Sequence, residues 1–316
     1  MKTVLSMALA FGLSAVSAQA ADTVWPKSPV TLIVPYGTGG GTDSTARALA
    51  SSLSKAFDVP VVVENHPGAG GALALSHFLN SVEPDGQTIL VGQTGILTTT
   101  PILNDVAYKR EDFRAIASLA TPIEVLVVSN EFPATSPKEF MEYASANPDE
   151  MSMVVSSMGS QGWMGIQQLQ NVLGFEIPFV PLPHGGGSNQ ATMVAGNHAK
   201  AGVISLTGVA SFLEAGQMKA VGLLQAERSN LAPDLPTFVE SGYDVSIGDE
   251  VMVFVRSETA PEIVASINDA LTKAYEDSAY LKTLENLKLE ANYRGADSAG
   301  EFLASRVALA EKMLAK

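Results

Sequence analysis

The sequence predicts an α/β protein of two lobes, each a mostly parallel sheet flanked by helices. Short apolar runs rich in Val, Ile and Leu alternate with amphipathic segments along most of the chain, an order typical of parallel sheets covered on both faces. The chain has 316 residues, enough for two domains of ordinary size. Because no low-complexity linker separates the halves, we expect the chain to cross between the lobes more than once.

The first strand and helix show how each element is predicted. Residues 30–34, VTLIV, are continuous and apolar, as expected of a strand buried on both faces. A Gly-rich turn follows, and residues 43–57 carry apolar side chains at helical spacing. Thr42 or Asp43 is the expected cap of this helix, because a short polar side chain can accept a hydrogen bond from its first turn.

The same alternation continues to the end of the chain. Further strands are predicted at residues 59–63, 88–91, 123–128, 151–155, 177–181, 199–205 and 218–224. Further helices are predicted at residues 137–146, 262–277 and 300–314, and three more are predicted to end at Leu79, Leu173 and Val194. In the last helix the apolar residues recur every three or four positions, which predicts one face packed on a core.

The N-terminal residues have the pattern of an export signal rather than of a folded element. Lys2 precedes an apolar stretch at residues 4–16, and an A-x-A motif ends at Ala20, as in a secretory signal peptide. The alternative, a membrane anchor, is disfavoured because the apolar run is short for a bilayer. With no Cys after the cleavage site, lipid attachment is excluded. We therefore expect residues 1–20 to be removed and the mature chain to begin at Ala21, in the periplasm.

Composition excludes several classes of function. There are 33 acidic and 19 basic side chains, a net charge of −14, which argues against nucleic acids and anionic membrane surfaces as partners. The sequence has no Cys, so disulfides, thiolate metal sites and Cys nucleophiles are excluded. No HExxH motif occurs, and the histidines have no metal-ligand spacing; they are His66, His77, His184 and His198. Neither a metal nor a cofactor is expected.

Three Gly-rich loops carry the strongest functional signal. They lie at residues 37–42, 159–162 and 185–187, each between a predicted strand and a predicted helix. Ligands bind at strand C-termini in open α/β sheets, and helix N-termini offer free N–H groups to an anion. The run GTGGG exceeds what a tight turn needs, so we interpret it as an anion-binding loop. Tyr36 and Trp163, beside two of the loops, could line a pocket or belong to the core.

A dinucleotide site is one alternative for the first loop. The strand, Gly-rich turn, helix and second strand, followed by Glu64, are similar to the start of a Rossmann unit. Residues 37–42, however, lack the sixth-position glycine, and the sequence has neither a P-loop motif nor a twin-Arg export signal. These departures disfavour a nucleotide cofactor.

Hydrolase chemistry is a second alternative, and the motifs disfavour it too. Ser160 lies in GSQG, which is not the G-x-S-x-G nucleophile motif. His184 lies near a Gly-rich loop without an acid and a serine in a recognisable order. Asp249 and Glu250 are adjacent, so on a strand their side chains would face opposite sides.

Several motifs occur in the same order as in one protein family. They are VTLIVPYGTGGGTDSTARALA, VPVVVENHPGAGG, PDGQTILVG, DFRAIASLA and FVPLPHGGGSNQATMVAGN. Further matches, EAGQMKAVGLLQAERSNLAPDLPTFVESGY and TAPEIVASINDAL, extend the similarity over about residues 25–314. Together they resemble the Bug family, the extracytoplasmic substrate-binding proteins of tripartite tricarboxylate transporters.

The resemblance implies a two-lobed Venus-flytrap fold of the periplasmic-binding-protein type, without enzymatic activity. Lobe one would comprise residues 21–122 and 250–316, and lobe two residues 123–249. The protein would be a monomer that binds a small carboxylate in the interlobe cleft, either a di- or tricarboxylate or an aromatic acid. It would deliver this ligand to the membrane subunits of a tripartite transporter.

The resemblance also implies which residues contact the ligand. In the family, the first βα loop and a Gly loop of the other lobe hold a carboxylate, mainly through backbone N–H groups and ordered water. The matching lobe-one residues are Tyr36, Gly37, Thr38, Gly39, Gly40, Gly41, Thr42, Asp43, Thr94 and Gly95. The matching lobe-two residues are Ser160, Gln161, His184, Gly185, Gly186, Gly187, Asn189 and Ser205.

This chain departs from the family pattern at four places. His66 stands where the family usually has Arg, VPLPHGG replaces VPYKG, and GSQGW replaces a GSSSH-like segment. A usual Trp-Phe pair is absent around residues 249–252. These differences bear on ligand identity rather than on the fold. Two other functions stay open from the sequence: a sensor subunit that presents the ligand to a signalling partner, and an exported α/β enzyme.

Overall fold

A computed structural model describes residues 25–155, 158–182 and 186–314. The predicted export signal and its cleavage site lie outside these residues. Within the described ranges, no helix is both long enough and apolar enough to cross a membrane.

The strands and helices follow the alternation that the sequence predicts. The strands are β1 (Val30–Val34), β2 (Val61–Asn65), β3 (Thr88–Gln93), β4 (Phe113–Pro122), β5 (Glu124–Ser129), β6 (Met153–Val155), β7 (Phe179–Pro181), β8 (Ala201–Ser205), β9 (Met218–Leu223), β10 (Val251–Arg256) and β11 (Leu289–Arg294). The helices are α1 (Gly41–Phe57), α2 (Ala72–Ser81), α3 (Thr100–Leu103), α4 (Pro137–Ala146), α5 (Gln161–Leu173), α6 (Gly187–Ala195), α7 (Leu206–Glu214), α8 (Pro261–Glu276), α9 (Ser278–Asn286) and α10 (Ala296–Leu314).

These strands form two sheets, and each sheet is the centre of one lobe. The first has six strands in the order β11-β4-β10-β3-β1-β2, and the second has five in the order β7-β6-β8-β5-β9. We call the part built on the six-stranded sheet lobe one and the other part lobe two. The two-lobed α/β fold that the sequence predicts is confirmed.

The sheets are mixed, so the prediction of mostly parallel sheets is wrong. In lobe one β1 pairs in parallel with β2 and β3, whereas β10 runs antiparallel to β3 and β4, and β11 antiparallel to β4. In lobe two β6 is parallel to β7 and β8, whereas β5 is antiparallel to β8 and β9. The antiparallel pairing arises because the chain leaves lobe one along β4 and returns along β10, in the opposite direction.

The chain passes directly between the sheets at two places. At the first crossing, β4 ends at Pro122 and β5 begins at Glu124. At the second, the N–H of Ile247 still bonds to Leu224 in lobe two, and the carbonyl of Glu250 already bonds to Thr94 in lobe one. Helix α10 adds a further link, because it starts on the core of lobe one and its C-terminal residues pack on the core of lobe two.

Each sheet separates two apolar layers. In β1, Leu32 packs on the α1 and α8 side and Ile33 on the α2 side. In lobe two, Leu126 and Val127 likewise belong to opposite layers. Successive side chains of a strand point to opposite faces, so burial of both faces requires the continuous apolar runs seen in the sequence.

Two details of the predicted elements are corrected. Helix α1 begins two residues early, at Gly41, with Gly40 as its N-cap and without a side-chain cap bond. The predicted caps are therefore wrong, because Thr42 and Asp43 already lie within the helix. Strand β2 lies two residues later than predicted.

Candidate functional site

The parallel strands of both sheets end at the same place, the cleft between the lobes. Strand β1 leads into the first Gly-rich loop, residues 37–42, of which the last two already belong to α1, and β3 leads into the turn Thr94–Ile96. In lobe two, β6, β7 and β8 lead to the N-termini of α5, α6 and α7. The loops that follow these five strands therefore all lie at the cleft, as expected for a ligand site in an α/β fold.

Contacts between the lobes show which of these loops face each other. A Cβ atom on Gly41, in lobe one, would lie 4.0 Å from Oγ1 of Thr207, in lobe two. The same Thr207 hydroxyl donates a 2.5 Å hydrogen bond to the carbonyl oxygen of Leu287 in lobe one. The N-termini of α1 and α7 are thus brought together across the cleft.

The first Gly-rich loop is open on one side. Gly39 has a φ of 82°, which an L side chain rarely adopts. Gly40 is extended, and a Cβ at Gly40 would meet only the carbonyl oxygen of Gly37, at 4.0 Å. Protein packing therefore does not explain the glycine at position 40. The first turn of α1 also leaves backbone N–H groups without intrahelical acceptors, directly beside this open space.

Asp43 holds this loop in shape. Its Oδ2 atom accepts hydrogen bonds from the Gly39 N–H at 2.8 Å and from Nε of Arg47 at 3.0 Å. Its Oδ1 atom accepts from Nδ2 of Asn65 at 2.9 Å, and the same amide group donates to the carbonyl oxygen of Tyr36. Burial acts to raise the pKa of the Asp43 carboxyl, but these hydrogen bonds outweigh it and hold the pKa below its usual value. Asp43 is therefore an ionised positioning residue whose two oxygens are already engaged within lobe one.

The loop before α5 joins the cleft from lobe two. Ser160 is the N-cap of α5, and its hydroxyl accepts a 3.2 Å hydrogen bond from the N–H of Trp163. A Cβ at Gly162 would collide with the carbonyl oxygen of Val203, so the glycine allows α5 to approach β8. Gln161 reaches toward lobe one, because a Cβ at Gly95 would lie 3.5 Å from its side-chain nitrogen.

The third loop also meets the cleft through a helix N-terminus. Gly186 is the N-cap of α6, and no atom lies within 4 Å of where its Cβ would be. A Cβ on Gly187 would lie 3.1 Å from the Cα of Gly208 in α7, and 3.8 Å from the hydroxyl of Ser205. The N-termini of α6 and α7 therefore lie side by side. His184 and Gly185 lie outside the described residues, and Asn189 is exposed.

The crossings carry buried acidic side chains that the sequence analysis did not select. Glu124 and Asp249 are 6% and 2% exposed, and Thr94 donates a 2.6 Å hydrogen bond to Oδ1 of Asp249. Glu250 accepts hydrogen bonds from Ser118 and Arg294. The one signal for Glu124 was a charge near the start of an otherwise apolar strand. Asp249 and Glu250 lie just before β10, which begins at Val251, and their carboxyl groups bond to different neighbours.

Several predicted site residues are more buried than a ligand contact requires. Thr94 is fully buried, Thr42 is 5% exposed, and Gly95 is buried between the lobes. Trp163 belongs to the core of lobe two. Tyr36 is half-buried against the core of lobe one. The exposed members of the first loop are Gly37, Thr38 and Gly39.

A small cavity of about 20 Å³ lies between the lobes behind these loops. Its lining includes Thr94, Thr99, Gln161, Gln168 and Arg306. The volume suits roughly one water molecule, and each of these side chains carries a hydrogen-bonding group. In the described parts of the chain, no group of three or more acidic or His side chains could hold a metal ion.

Comparison with known proteins identifies the family. The model of the tripartite tricarboxylate transporter family receptor, TctC, matches residues 45–316. A Cupriavidus necator protein, the UPF0065 protein in gbd 5'region, is 30% identical over 301 residues, covering 94% of this chain and 90% of that protein. The chain belongs to the tripartite tricarboxylate transporter receptor family. Protein BugT of Bordetella pertussis is 27% identical over 267 residues, covering 83% of this chain and 80% of BugT. The resemblance to the Bug family is confirmed.

Solved structures of similar proteins share the receptor fold. A Rhodopseudomonas palustris protein solved with adipate is 26% identical, with a TM-score of 0.84 over 92% of this chain and 98% of that chain. MatC of the same organism, solved with malate, is 24% identical with a TM-score of 0.82 and covers 92% of this chain and all of MatC. The family and the fold of this chain are those of a solute-binding receptor rather than of an enzyme.

Proposed function

We propose that this receptor binds a small carboxylate between its lobes and delivers it to the membrane subunits of a tripartite transporter. The observation that carries the proposal is the meeting of two helix N-termini across the cleft, where Gly41 at the Gly-rich start of α1 in lobe one faces Thr207 of α7 in lobe two. Helix N-termini bind anions through free N–H groups and the positive end of the helix dipole. The adipate held by the R. palustris relative supports a dicarboxylate as the first candidate.

The ligand contacts that we propose come from the loops of both lobes. In lobe one they are the open backbone groups at Gly37, Thr38, Gly39, Gly40 and Gly41, with Asp43 holding the loop in place. In lobe two they are Ser160, Gln161, Gly186, Gly187 and Ser205. Tyr36, Thr42, Thr94, Gly95, Asn189, His184 and Gly185 stay predicted members of the site.

Local donors must supply the attraction, because the overall charge opposes it. The chain carries 33 acidic and 19 basic side chains, and this excess repels an anion at long range. Charge-assisted hydrogen bonds inside a closed, water-poor cleft are stronger than those at the surface. We propose that the lobes close on the ligand for this reason, with lobe boundaries at residues 122/123 and 249/250. We also propose a monomeric, periplasmic protein, cleaved after Ala20.

The test is a ligand screen on the mature chain. Thermal unfolding is measured with mono-, di- and tricarboxylates and aromatic acids, starting with adipate, and each hit is titrated by calorimetry. A ligand present at 100 times its Kd adds about 2.7 kcal/mol to the free energy of unfolding. The diamide of each acid is the matched control, since it lacks the charge. Equal stabilisation by acid and diamide, or none by any acid, would contradict the proposal.

A further inference from the structure

The floor of the cleft contains two carboxyl groups, one at each crossing. Glu124 is the first residue of β5, directly after the chain enters lobe two. Asp249 lies between Ile247, which still bonds to lobe two, and Glu250, which bonds to lobe one. The two side chains therefore lie where the lobes join.

Glu124 is also placed beside the proposed ligand site. In the β5–β8 pair, Glu124 lies opposite Ser205. Ser205 ends β8 immediately before α7, whose Thr207 faces Gly41 across the cleft. An anion held by these helix N-termini would lie close to the crossings.

Neither carboxyl group has a cationic partner in the described parts of the chain. No hydrogen bond or ion pair involves the carboxylate oxygens of Glu124 there. Oδ1 of Asp249 accepts from the Thr94 hydroxyl, the backbone N–H groups of Thr94 and Glu250 also act on this carboxyl, and its Oδ2 is buried without a hydrogen-bond partner. An ionised carboxylate buried without a cation is costly, so such a group favours its neutral, protonated form.

The charged groups around the pair do not offset its charge. Arg294 from β11 contacts Glu250, at 3.0 Å from Nε to Oε1, and is thereby neutralised. Arg306 from α10 packs against Gly248 and lies over the ring of Phe302, at 5.3 Å from its centroid, without an ion pair to Asp249.

Two tyrosines also face this region. Burial and the charge of Asp249 raise the pKa of the Tyr36 hydroxyl, and burial and the charge of Glu250 raise that of Tyr275. Both hydroxyls therefore stay neutral, and the excess charge of the region is negative.

The two carboxyl groups titrate near neutral pH. Burial, followed by the charge of Asp249, raises the pKa of Glu124 to about 8. Burial raises the pKa of Asp249 to about 7, against hydrogen bonds from Thr94 that lower it. Between these values the pair is only partly protonated. A ligand carboxylate brought into the cleft adds a like charge, which favours the protonated forms further.

We propose that carboxylate binding in this receptor is coupled to proton uptake by Glu124 and Asp249. The inference rests on the proposed function, since it requires an anion in this cleft. By linkage, the affinity falls with rising pH wherever the complex holds more protons than the free protein. With one proton taken up, Kd rises by up to about tenfold per pH unit above pH 8.

Calorimetry measures this uptake directly. Adipate, or the dicarboxylate with the largest thermal shift, is titrated at pH 8 in buffers of different ionisation enthalpy. The dependence of the observed heat on that enthalpy gives the number of protons taken up. Dicarboxylates are fully ionised at this pH, so the protons must go to the protein. We expect a clearly measurable proton uptake by the wild type at pH 8, and a Kd that rises from pH 7 to pH 9.

Isosteric variants assign the protons. We expect Glu124→Gln or Asp249→Asn to lower the uptake and the double variant to abolish it, whereas Glu227→Gln, an exposed control, leaves it unchanged. Binding without proton uptake by the wild type, or wild-type uptake by the double variant, overturns the inference and leaves the proposed function intact. If the variants do not fold, the wild-type buffer series alone decides. Failure of every carboxylate to bind overturns the proposed function, and this inference with it.

Discussion

The hydroxyl of Thr99 donates a 2.6 Å hydrogen bond to the carbonyl oxygen of Gly159, 60 positions away in the other lobe. Gly159 directly precedes Ser160, which caps α5. The bond therefore ties a candidate ligand loop of lobe two to the segment that follows β3 in lobe one, and it exists only while the lobes are close together.

Thr99→Val removes this bond at nearly constant volume. A net hydrogen bond contributes about 1 kcal/mol, so we expect the closed arrangement to become roughly fivefold less favourable. Ligand affinity should fall by a similar factor, and small-angle scattering of the ligand-free protein should show a larger radius of gyration. Thr283→Val is the control, because its hydroxyl bonds only within α9, to the carbonyl of Ala279. Equal effects of the two variants would argue against a role of Thr99 in closure.

Gly40→Ala tests whether the open side of the first loop is the ligand site. The added Cβ meets only one protein atom, at 4.0 Å, and the backbone there is extended. We expect a change in the free energy of unfolding within about 0.5 kcal/mol, but at least a roughly tenfold loss of carboxylate affinity. Gly300→Ala, equally free of contacts in α10, should bind normally. A Gly40→Ala variant with wild-type affinity would exclude this face of the loop from the site.

Gly40→Pro tests the same loop more directly, because proline also removes the backbone N–H donor at position 40. Gly40 has a φ of −81°, close to the value that proline imposes. We therefore expect a folded protein by circular dichroism whose affinity falls roughly ten- to over a hundredfold, as for a lost charge-assisted hydrogen bond. Unfolding of lobe one would indicate instead that the loop only turns the chain.

Asp43→Asn should loosen the first loop. An amide has only one acceptor atom, so with its oxygen toward Gly39 and Arg47 its NH2 group would face the Nδ2 donor of Asn65. The substitution also removes the charge, and hydrogen bonds to charged groups contribute about 1.5–3 kcal/mol each. The pKa of Asp43 is lower in the folded state than in the unfolded state. The ionised carboxylate therefore stabilises the fold above the unfolded-state pKa, and this stabilisation is lost as the pH falls through the folded-state pKa. Urea unfolding should therefore separate the two proteins most at pH 7, and the difference should shrink as the pH is lowered below the unfolded pKa. Asp244→Asn, at an exposed position of lobe two, is the control, and an equal loss of stability at pH 7 in both variants would argue against a special role of Asp43.

Glu124→Gln should change the pH dependence of stability in the opposite direction. The folded pKa of Glu124 is raised to about 8, so the native state holds a proton that the unfolded state releases. The stability of the wild type should then fall as the pH rises from about 4.5 to about 8. In ligand-free urea unfolding, the free energy of unfolding of Glu124→Gln relative to that of the wild type should increase by on the order of 2–4 kcal/mol from pH 5 to pH 9. If the stabilities of the two proteins changed with pH in parallel, the raised pKa of the buried Glu124 carboxyl would be contradicted.

Export is tested on the chain before processing. Expressed in a Gram-negative host, the protein should accumulate in the periplasm, with an intact mass that begins at Ala21. Ala20→Arg, which places a large charged residue at the cleavage site, should retain the N-terminal segment. Cytoplasmic protein that still carries residues 1–20 would contradict the predicted localisation.

The sequence alone determined the elements whose signal is local. Continuous apolar runs predict β1, β3 and β5, because both faces of these strands are buried and no register choice is needed. Helix α4 was predicted at its observed bounds, since Ser136 and Pro137 mark its start. The first two Gly-rich loops were also predicted at the observed strand-to-helix junctions, before α1 and α5, because glycine runs after strands have few structural alternatives.

Other elements could not be predicted from local pattern. Strand β4, FRAIASLATP, contains many small residues of weak strand preference and is extended because it lies between β10 and β11. Strand β11, LEANYR, is partly polar and pairs on one side only. Their conformation depends on partners far along the chain, so propensity is a poor guide.

Tertiary structure also decided the roles within the site. Asp43 and Thr94, both predicted ligand contacts, also bond within the protein, Asp43 to the N–H of Gly39 and Thr94 to the carboxyl of Asp249. Glu124 attracted no notice in the sequence, since a single acid in a strand has no motif. Its significance depends on burial beside the second crossing, more than 100 residues later, and burial and charge proximity are properties of the folded chain rather than of sequence spacing.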